Sequence, residues 1–231
     1  MIAVDRPGMG LSTFNPYGSF LSFAADVRQL LYYLHIQQCD VLCWSGGGPY
    51  ALAIAHQYPE IIRKVSIICG FTRPFAQDVL DDMGMNKWYF YFATHTPWLL
   101  KRALNFISQK KINSVPPQWI TGLPYVDYSL LNDVHRLRII ADHTLKEACR
   151  NGGQGAVYEA RAYFHDFGFY LQNIKPPVHY WWGTSDMTVI RLHAEAIEST
   201  IPNAVMHFRE HEGHLSLYVN CMHEIISELS R

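Results

Sequence analysis

The chain has no excess of either charge: 19 lysines and arginines stand against 20 aspartates and glutamates in 231 residues. Without a basic stripe, nucleic acid is not an expected partner, and without an acidic tail there is no sign of a disordered, solvating segment. No CxxC pair is present, which removes the common zinc patterns. The five cysteines, Cys39, Cys43, Cys69, Cys149 and Cys221, are odd in number, scattered and set in apolar runs. That usage fits a reduced compartment better than a disulfide frame. No basic segment followed by an apolar one opens the chain, so no secretory leader is read there and a cytoplasmic location is expected. The most apolar window, residues 88–100, is too short to span a bilayer and is broken by His95 and Pro97. Internal repeats and low-complexity tracts are also lacking. What remains is a chain that is 49% hydrophobic, enough for one large domain or a domain carrying an insertion.

One stretch organises the rest. Val41, Leu42, Cys43 and Trp44 form an apolar run; Ser45 follows, then Gly46, Gly47, Gly48 and Pro49, then the helix-forming run Tyr50, Ala51, Leu52, Ala53, Ile54 and Ala55. This reads as strand, sharp turn and helix, with the serine hydroxyl thrust out at the turn, the pattern of a nucleophile elbow. The serine of an elbow holds a strained backbone, and the residues two positions to either side must be small. Gly47 meets that need, and Cys43, where glycine is usual, is still compact. Three other readings compete. A phosphate-cradling loop needs a glycine spacing, or a lysine and threonine after the glycines, that is not here. A plain tight turn explains one glycine rather than three. A nucleophilic Cys43 is a poor fit, because two residues back along a buried strand a cysteine is a core thiol.

Taken in order, residues 1–5 have a buried-strand pattern and residues 6–12 are a turn-rich loop. Ser19 or Ser22 caps a helix whose apolar positions Phe23, Val27, Leu30, Leu31 and Leu34 recur at helical spacing. A second strand is expected at 40–44, a helix at 48–57 and a third strand at 64–69. This alternation implies βαβ units and a parallel sheet. From 71 to about 173 the alternation stops. Helical patterns dominate, broken by Pro74, Pro97, Pro116, Pro117 and Pro124, and aromatics are dense: Trp88, Tyr89, Phe90, Tyr91, Phe92 and Trp98. Large side chains at helical spacing are usually core, so these are expected to pack a helical subdomain; one serving as a lid would also line an apolar substrate pocket with them. The alternation returns with a strand at 178–182, a helix at 190–199, a strand at 204–208, a loop at 210–214 and a closing helix at 217–229.

Ligands meet a parallel α/β sheet at the carboxyl ends of its strands. Three such ends carry residues of catalytic type: Ser45, Asp186 and His214. A serine hydroxyl attacks only when a base takes its proton. Histidine titrates near neutrality and can accept that proton and return it, and a carboxylate on the far ring nitrogen fixes the tautomer. Each has an ordinary alternative. Asp186, in a Gly-Thr-Ser-Asp loop, could merely cap a helix, and His211 lies three residues before His214, although the Glu-Gly turn directly before His214 favours the latter. Their joint occurrence in the order Ser, Asp, His carries the reading.

On these residues the chain resembles the α/β-hydrolase fold superfamily, in particular its lidded, esterase-like members. The resemblance rests on Asp5-Arg6-Pro7-Gly8-Met9-Gly10, the elbow from Trp44 to Pro49, Trp182-Gly183-Thr184-Ser185-Asp186, Ile201-Pro202-Asn203-Ala204 and Glu212-Gly213-His214-Leu215-Ser216. Asn151-Gly152-Gly153-Gln154-Gly155 and Asp166-Phe167-Gly168-Phe169 are similar to a segment joining lid to core. The resemblance implies an α/β fold with residues 1–70 and 174–231 as hydrolase core and 71–173 as an inserted helical lid. It implies hydrolysis of an ester or related acyl compound, with Ser45 as nucleophile, His214 as general base and acid, Asp186 as its orienter and the Gly46 amide in the oxyanion hole. No metal or organic cofactor is implied, and the partner is a small molecule, an apolar acyl or alkyl ester. Family members carry further strands before the one that Met1 begins, and a His-Gly loop that supplies a second oxyanion amide. On that comparison the fold is expected to be N-terminally incomplete, with a gap at the sheet centre or with the strands at 1–5 and 41–44 paired directly. Losing one oxyanion donor costs roughly a hundred- to a thousandfold in rate, so weak activity is expected; the alternative is a catalytically silent remnant or binding module.

Overall fold

The structure, a computed structural model, describes residues 1–110 and 118–231, the side chains of 119, 120 and 136 apart. The expected break at Pro116 and Pro117 lies outside the described residues. In chain order the elements are α1 (Phe20–Tyr33), β1 (Cys39–Trp44), α2 (Gly48–Gln57), β2 (Ile62–Ile68), α3 (Gln77–Asp81), α4 (Lys87–His95), α5 (Pro97–Ser108), α6 (Gln118–Thr121), α7 (Tyr125–Asp133), α8 (His135–Ala148), α9 (Gln154–Ala162), β3 (Val178–Gly183), α10 (Arg191–Thr200), β4 (Ala204–Arg209) and α11 (His214–Leu229). They fall into two compact units, Met1–Gly18 with Gly84–His165 and Ser19–Met83 with Asp166–Arg231.

The second unit holds a parallel sheet in the order β1-β2-β3-β4. β3 is buried along its whole length, which is why it runs through valine, tyrosine and two tryptophans rather than alternating with charged residues; β2 is buried at Ile62 and from Val65 to Ile68, with Arg63 and Lys64 left toward solvent. The tryptophans of β3 bring a polar handle into this core, and both handles are satisfied: Trp181 Nε1 donates to Ser66 Oγ (3.1 Å) and Trp182 Nε1 to the Val189 carbonyl (2.7 Å). α1 starts where a serine cap is expected. Ser22 N–H donates to Ser19 Oγ (3.0 Å) and Ser19 N–H to Ser22 Oγ (2.7 Å), a reciprocal cap. Its Phe20 and Phe23 then pack edge-on against Tyr50 of α2 at 4.8 and 4.9 Å. The register is level across the sheet: Trp44 pairs with Ile68, Ile68 with Trp181 and Trp181 with His207. The loops after the strands therefore leave from one edge.

Residues 1–5 are not the expected strand; they are irregular and exposed. A strand lasts only where its N–H and C=O groups find a ladder, and no described strand pairs with this segment. Neither expected arrangement of it in the sheet is found: β1 stands at the sheet edge, half-buried along most of its length. Cys43 is accordingly half-buried rather than a core thiol.

In the first unit the loop after residue 5 is tied to the helices. Arg6 Nε and Glu159 Oε2 form an ion pair at 2.6 Å, Tyr163 donates to the other Glu159 oxygen (2.8 Å) and Asn151 Nδ2 donates to the Gly10 carbonyl (2.8 Å). Gly8 and Gly155 abut so closely that a Cβ on Gly155 would lie 2.6 Å from the Gly8 carbonyl oxygen. Pro97 opens α5 and Pro124 precedes α7, positions where a missing N–H costs nothing. Of the six aromatics expected to form the core here, Phe90 alone is buried; Tyr89 is half-buried, its hydroxyl donating to the Ala156 carbonyl (3.2 Å). Trp88, Tyr91, Phe92 and Trp98 are exposed.

Candidate active site

Ser45 follows β1 directly and starts a short 3₁₀ turn, Ser45–Gly47, that runs into α2. Its φ is +54°, left-handed backbone that an L-residue adopts at a cost of about 1–3 kcal/mol and that persists only where surrounding structure enforces it. The enforcement is visible. Phe71 N–H donates to the Ser45 carbonyl (3.1 Å), tying the turn to the loop after β2. Beneath it Gly48 lies against that same loop: a Cβ on Gly48 would run into the Phe71 carbonyl oxygen, and one on Gly70 would lie 3.2 Å from Gly48 Cα. The third glycine after the serine thus has its own steric reason, distinct from that of Gly47. Gly46, the next residue after Ser45, lies within the turn at the amino end of α2, where the partial positive charge of a helix start favours a developing anion.

His214 is the first residue of α11, where a loop through 214 and a helix from 217 are expected. Gly213 N–H donates to Ser216 Oγ (2.7 Å), which starts the helix three residues early. The imidazole bridges the other two residues: Nδ1 is 2.8 Å from Asp186 Oδ2 and Nε2 is 2.9 Å from Ser45 Oγ. An ionised carboxylate only accepts, so Nδ1 carries the proton and Nε2 is left to accept from the serine hydroxyl. The Asp186 side chain is wholly buried. Its second oxygen accepts from Thr188 N–H (2.7 Å) and Val189 N–H (2.9 Å), so the cap-like role is real and coexists with the bond to His214. The close pass that brings these loops together is at Gly183, where a Cβ would strike the Glu212 carbonyl, and Ser185 N–H donates to that carbonyl at 2.9 Å. His211 is exposed, its N–H held by Thr184 Oγ1 (3.1 Å), and takes no part in this chain of bonds.

Several neighbours make contacts that no motif announces. The Trp44 ring lies 5.1 Å from the His214 ring, Tyr218 lies 5.0 Å beyond on Trp44, and Trp44 Nε1 donates to the His214 carbonyl (3.2 Å). Thr72 N–H donates to His193 Nδ1 (3.1 Å) and Thr72 Oγ1 to the His193 carbonyl (2.7 Å), so α10 holds the loop that holds Ser45. His193 is fully buried; burial first, and the Arg73 guanidinium second, push its pKa down to about 3 against an opposing pull from Asp186. Tyr180 donates to the Gly70 carbonyl (2.7 Å) from β3. None of these contacts could be found from spacing, because each joins residues far apart in the chain.

Cys69, next after β2, has left-handed backbone too (φ +43°), and donor atoms of Cys69, Asp186 and His214 lie within 4.8 Å of one another. A soft divalent cation suits this set by donor type. Holding it would occupy a His214 nitrogen, and both nitrogens are already used toward Asp186 and Ser45. Metal binding and the hydrogen-bond chain therefore exclude one another.

Comparison with known proteins bears on the fold and the family. A serine hydrolase-like protein of Danio rerio is 33% identical over 92 residues, which is 37% of this chain and 28% of that protein's length. Among solved structures, an enol-lactonase from Burkholderia xenovorans LB400 superposes with a TM-score of 0.66 at 16% identity, covering 98% of this chain and 78% of that one. The esterase EaEST from Exiguobacterium antarcticum gives 0.67 at 16% identity (98% and 80%), and a bromoperoxidase from Bacillus anthracis 0.68 at 19% identity (97% and 78%). At such identities these superpositions establish the fold alone. Residues 1–119, just over half the chain, match the family described as alpha/beta hydrolase fold, and the chain belongs to that family.

Proposed function

We propose that the chain hydrolyses an ester or related acyl compound through Ser45, His214 and Asp186. The observation that supports this is the unbroken hydrogen-bond chain from the Ser45 hydroxyl through the imidazole to a buried carboxylate, with Ser45 in left-handed backbone. His214 Nε2 takes the hydroxyl proton as Ser45 Oγ attacks the acyl carbon, and the imidazolium that forms is stabilised by Asp186. The Gly46 amide and the amino end of α2 receive the charge on the carbonyl oxygen. His214 then returns its proton to the leaving alcohol and activates water against the acyl-enzyme. In this reading residues 71–173 serve as the lid inserted in a core of 1–70 and 174–231, and the substrate is a small ester with an apolar acyl or alkyl group, met in a reducing compartment.

The experiment is to treat the full chain with a fluorophosphonate probe and with a short-chain activated ester, beside Ser45→Ala. Covalent labelling and ester turnover are expected for the wild type, and neither for Ser45→Ala with its circular dichroism unchanged. A well-folded wild type that neither labels nor turns over would leave the alternative of a silent hydrolase fold.

A further inference from the structure

The exposed aromatics of α4 and α5 form a surface that the hydrolytic reading does not use. On α4, Trp88, Tyr91, Phe92 and His95 recur at one-face spacing and are exposed, while Phe90 and Ala93 on the opposite side are buried. The rings touch, Trp88 lying 5.6 Å from Tyr91 and 6.4 Å from Phe92. α5 follows after one residue and inverts the usual amphipathic arrangement: its exposed positions carry Trp98, Leu99, Arg102, Phe106 and Ile107, with exposed Lys110 just past its end, and Trp98 and Phe106 are each 62% exposed. Single exposed apolar residues are ordinary; touching rings along one helix, followed at once by a helix with two rings so far into solvent, are the mark of an interaction surface.

Charge identifies the occupant. Between Asp82 and Asp127 the sequence has no acidic residue and five basic ones. Three of the cations sit among the exposed rings: Lys110 Nζ is 4.8 Å from the Phe106 ring, the Arg102 guanidinium 5.9 Å from Trp98 and Lys87 Nζ 6.0 Å from Trp88. A second copy of this face would bring like charges together with no carboxylate of its own between them. Tryptophan and phenylalanine interleaved with lysine and arginine are what a helix lying in a lipid headgroup layer presents, tryptophan being the ring that settles at that depth. No described helix is long and apolar enough to cross a membrane, so contact would be with one surface.

We propose that the exposed aromatic and basic side chains of α4 and α5 dock on the surface of a bilayer containing anionic phospholipid. The aromatic rings enter the headgroup layer, and Lys87, Arg102 and Lys110 meet lipid phosphates. Each basic residue near such a surface contributes about fivefold to partitioning, and the contribution is screened by salt. The binding is independent of any catalytic role.

The test is cosedimentation of the full chain with vesicles of phosphatidylcholine alone and of phosphatidylcholine mixed with phosphatidylglycerol, at low and high salt. Binding is expected to the mixed vesicles at low salt, weakened by salt and by removing phosphatidylglycerol. Arg102→Glu with Lys110→Glu should lower it more than tenfold, and Trp98→Ser with Phe106→Ser should also lower it, the variants keeping the wild-type circular dichroism because all four side chains are exposed. The salt and lipid dependence of the wild type reads the proposal even if a variant misfolds. Absence of sedimentation, or sedimentation indifferent to phosphatidylglycerol and salt, would overturn it. So would a dimer in sedimentation velocity that Trp98→Ser with Phe106→Ser dissociates, which would make a second copy the occupant.

Discussion

His193 shows how much one buried residue can decide. It is neutral, its Nδ1 accepts the Thr72 N–H, and burial with the nearby Arg73 pushes its pKa down to about 3 from an ordinary 6.5. A depressed folded-state pKa means that the unfolded chain binds the extra proton first. The stability is therefore intact above about pH 6.5 and is lost as pH falls through the window from 6.5 to 3. At one pKa unit per 1.36 kcal/mol the loss from this group between about pH 7 and pH 4.5 is roughly 3 kcal/mol. Urea unfolding at the two pH values should show that loss in the wild type and a smaller one in His193→Gln, which cannot titrate. Equal pH dependence in both would mean that other groups carry the acid sensitivity. The consequence reaches the candidate site, because Thr72 is the next residue after Phe71, whose N–H holds the Ser45 carbonyl. Ester turnover should accordingly fail on acidification no later than global unfolding begins.

At the scale of the element, the turn between β1 and α2 depends on a close approach that a single methyl would spoil. A Cβ on Gly48 meets backbone, the Phe71 carbonyl, and backbone cannot rotate away. Gly48→Ala should cost about 1–3 kcal/mol, as overpacking does, and should reduce probe labelling of Ser45 roughly a hundredfold through misplacement of the hydroxyl. Unchanged melting and labelling would show that the loop after β2 yields freely. The glycine run was legible as an elbow because its local geometry is written in consecutive residues, and the central strand β3 was legible because two covered faces demand apolar and aromatic side chains. That Asp186, His214 and Ser45 meet is anticipated by their types and their order after the strands; their roles belong to the proposal. The failures share a cause. Residues 1–5 have the side chains of a strand, but a strand is a property of a pair, and no partner is encoded locally. The start of α11 depends on Ser216 reaching back to Gly213, a signal that apolar spacing alone overlooks. The aromatics of α4 and α5 have helical spacing on both faces, and spacing does not say which face is covered.

The whole chain passes between its two units three times, after Gly18, Met83 and His165, so the first unit is assembled from distant pieces. Residues 1–18 have no regular structure of their own and are held by side chains: Arg6 on Glu159, Asn151 on the Gly10 carbonyl and Tyr158 on the Gly18 carbonyl at 2.8 Å. Glu159 is the centre of this arrangement, buried in α9 with Arg6 on one oxygen and the Tyr163 hydroxyl on the other. Its charge also helps burial to raise the Tyr89 hydroxyl above its ordinary pKa, so that Tyr89 stays neutral and keeps its proton for the Ala156 carbonyl. Replacing Arg6 by methionine keeps the length of the side chain and leaves Glu159 with a buried, half-compensated charge. Removing one partner of a buried pair costs about 3–5 kcal/mol, and the value here should fall at the low end because the Arg6 side chain is 30% exposed. Hydrogen exchange locates that cost. Amides of α9, and of α4 and α5 packed on it, should lose protection in Arg6→Met, whereas those of β2 and β3 should keep theirs and act as the control within the same molecule. Equal loss in both units would mean that the chain opens as one cooperative body, and that the N-terminal segment supports the sheet as much as it supports the helices to which it is tied.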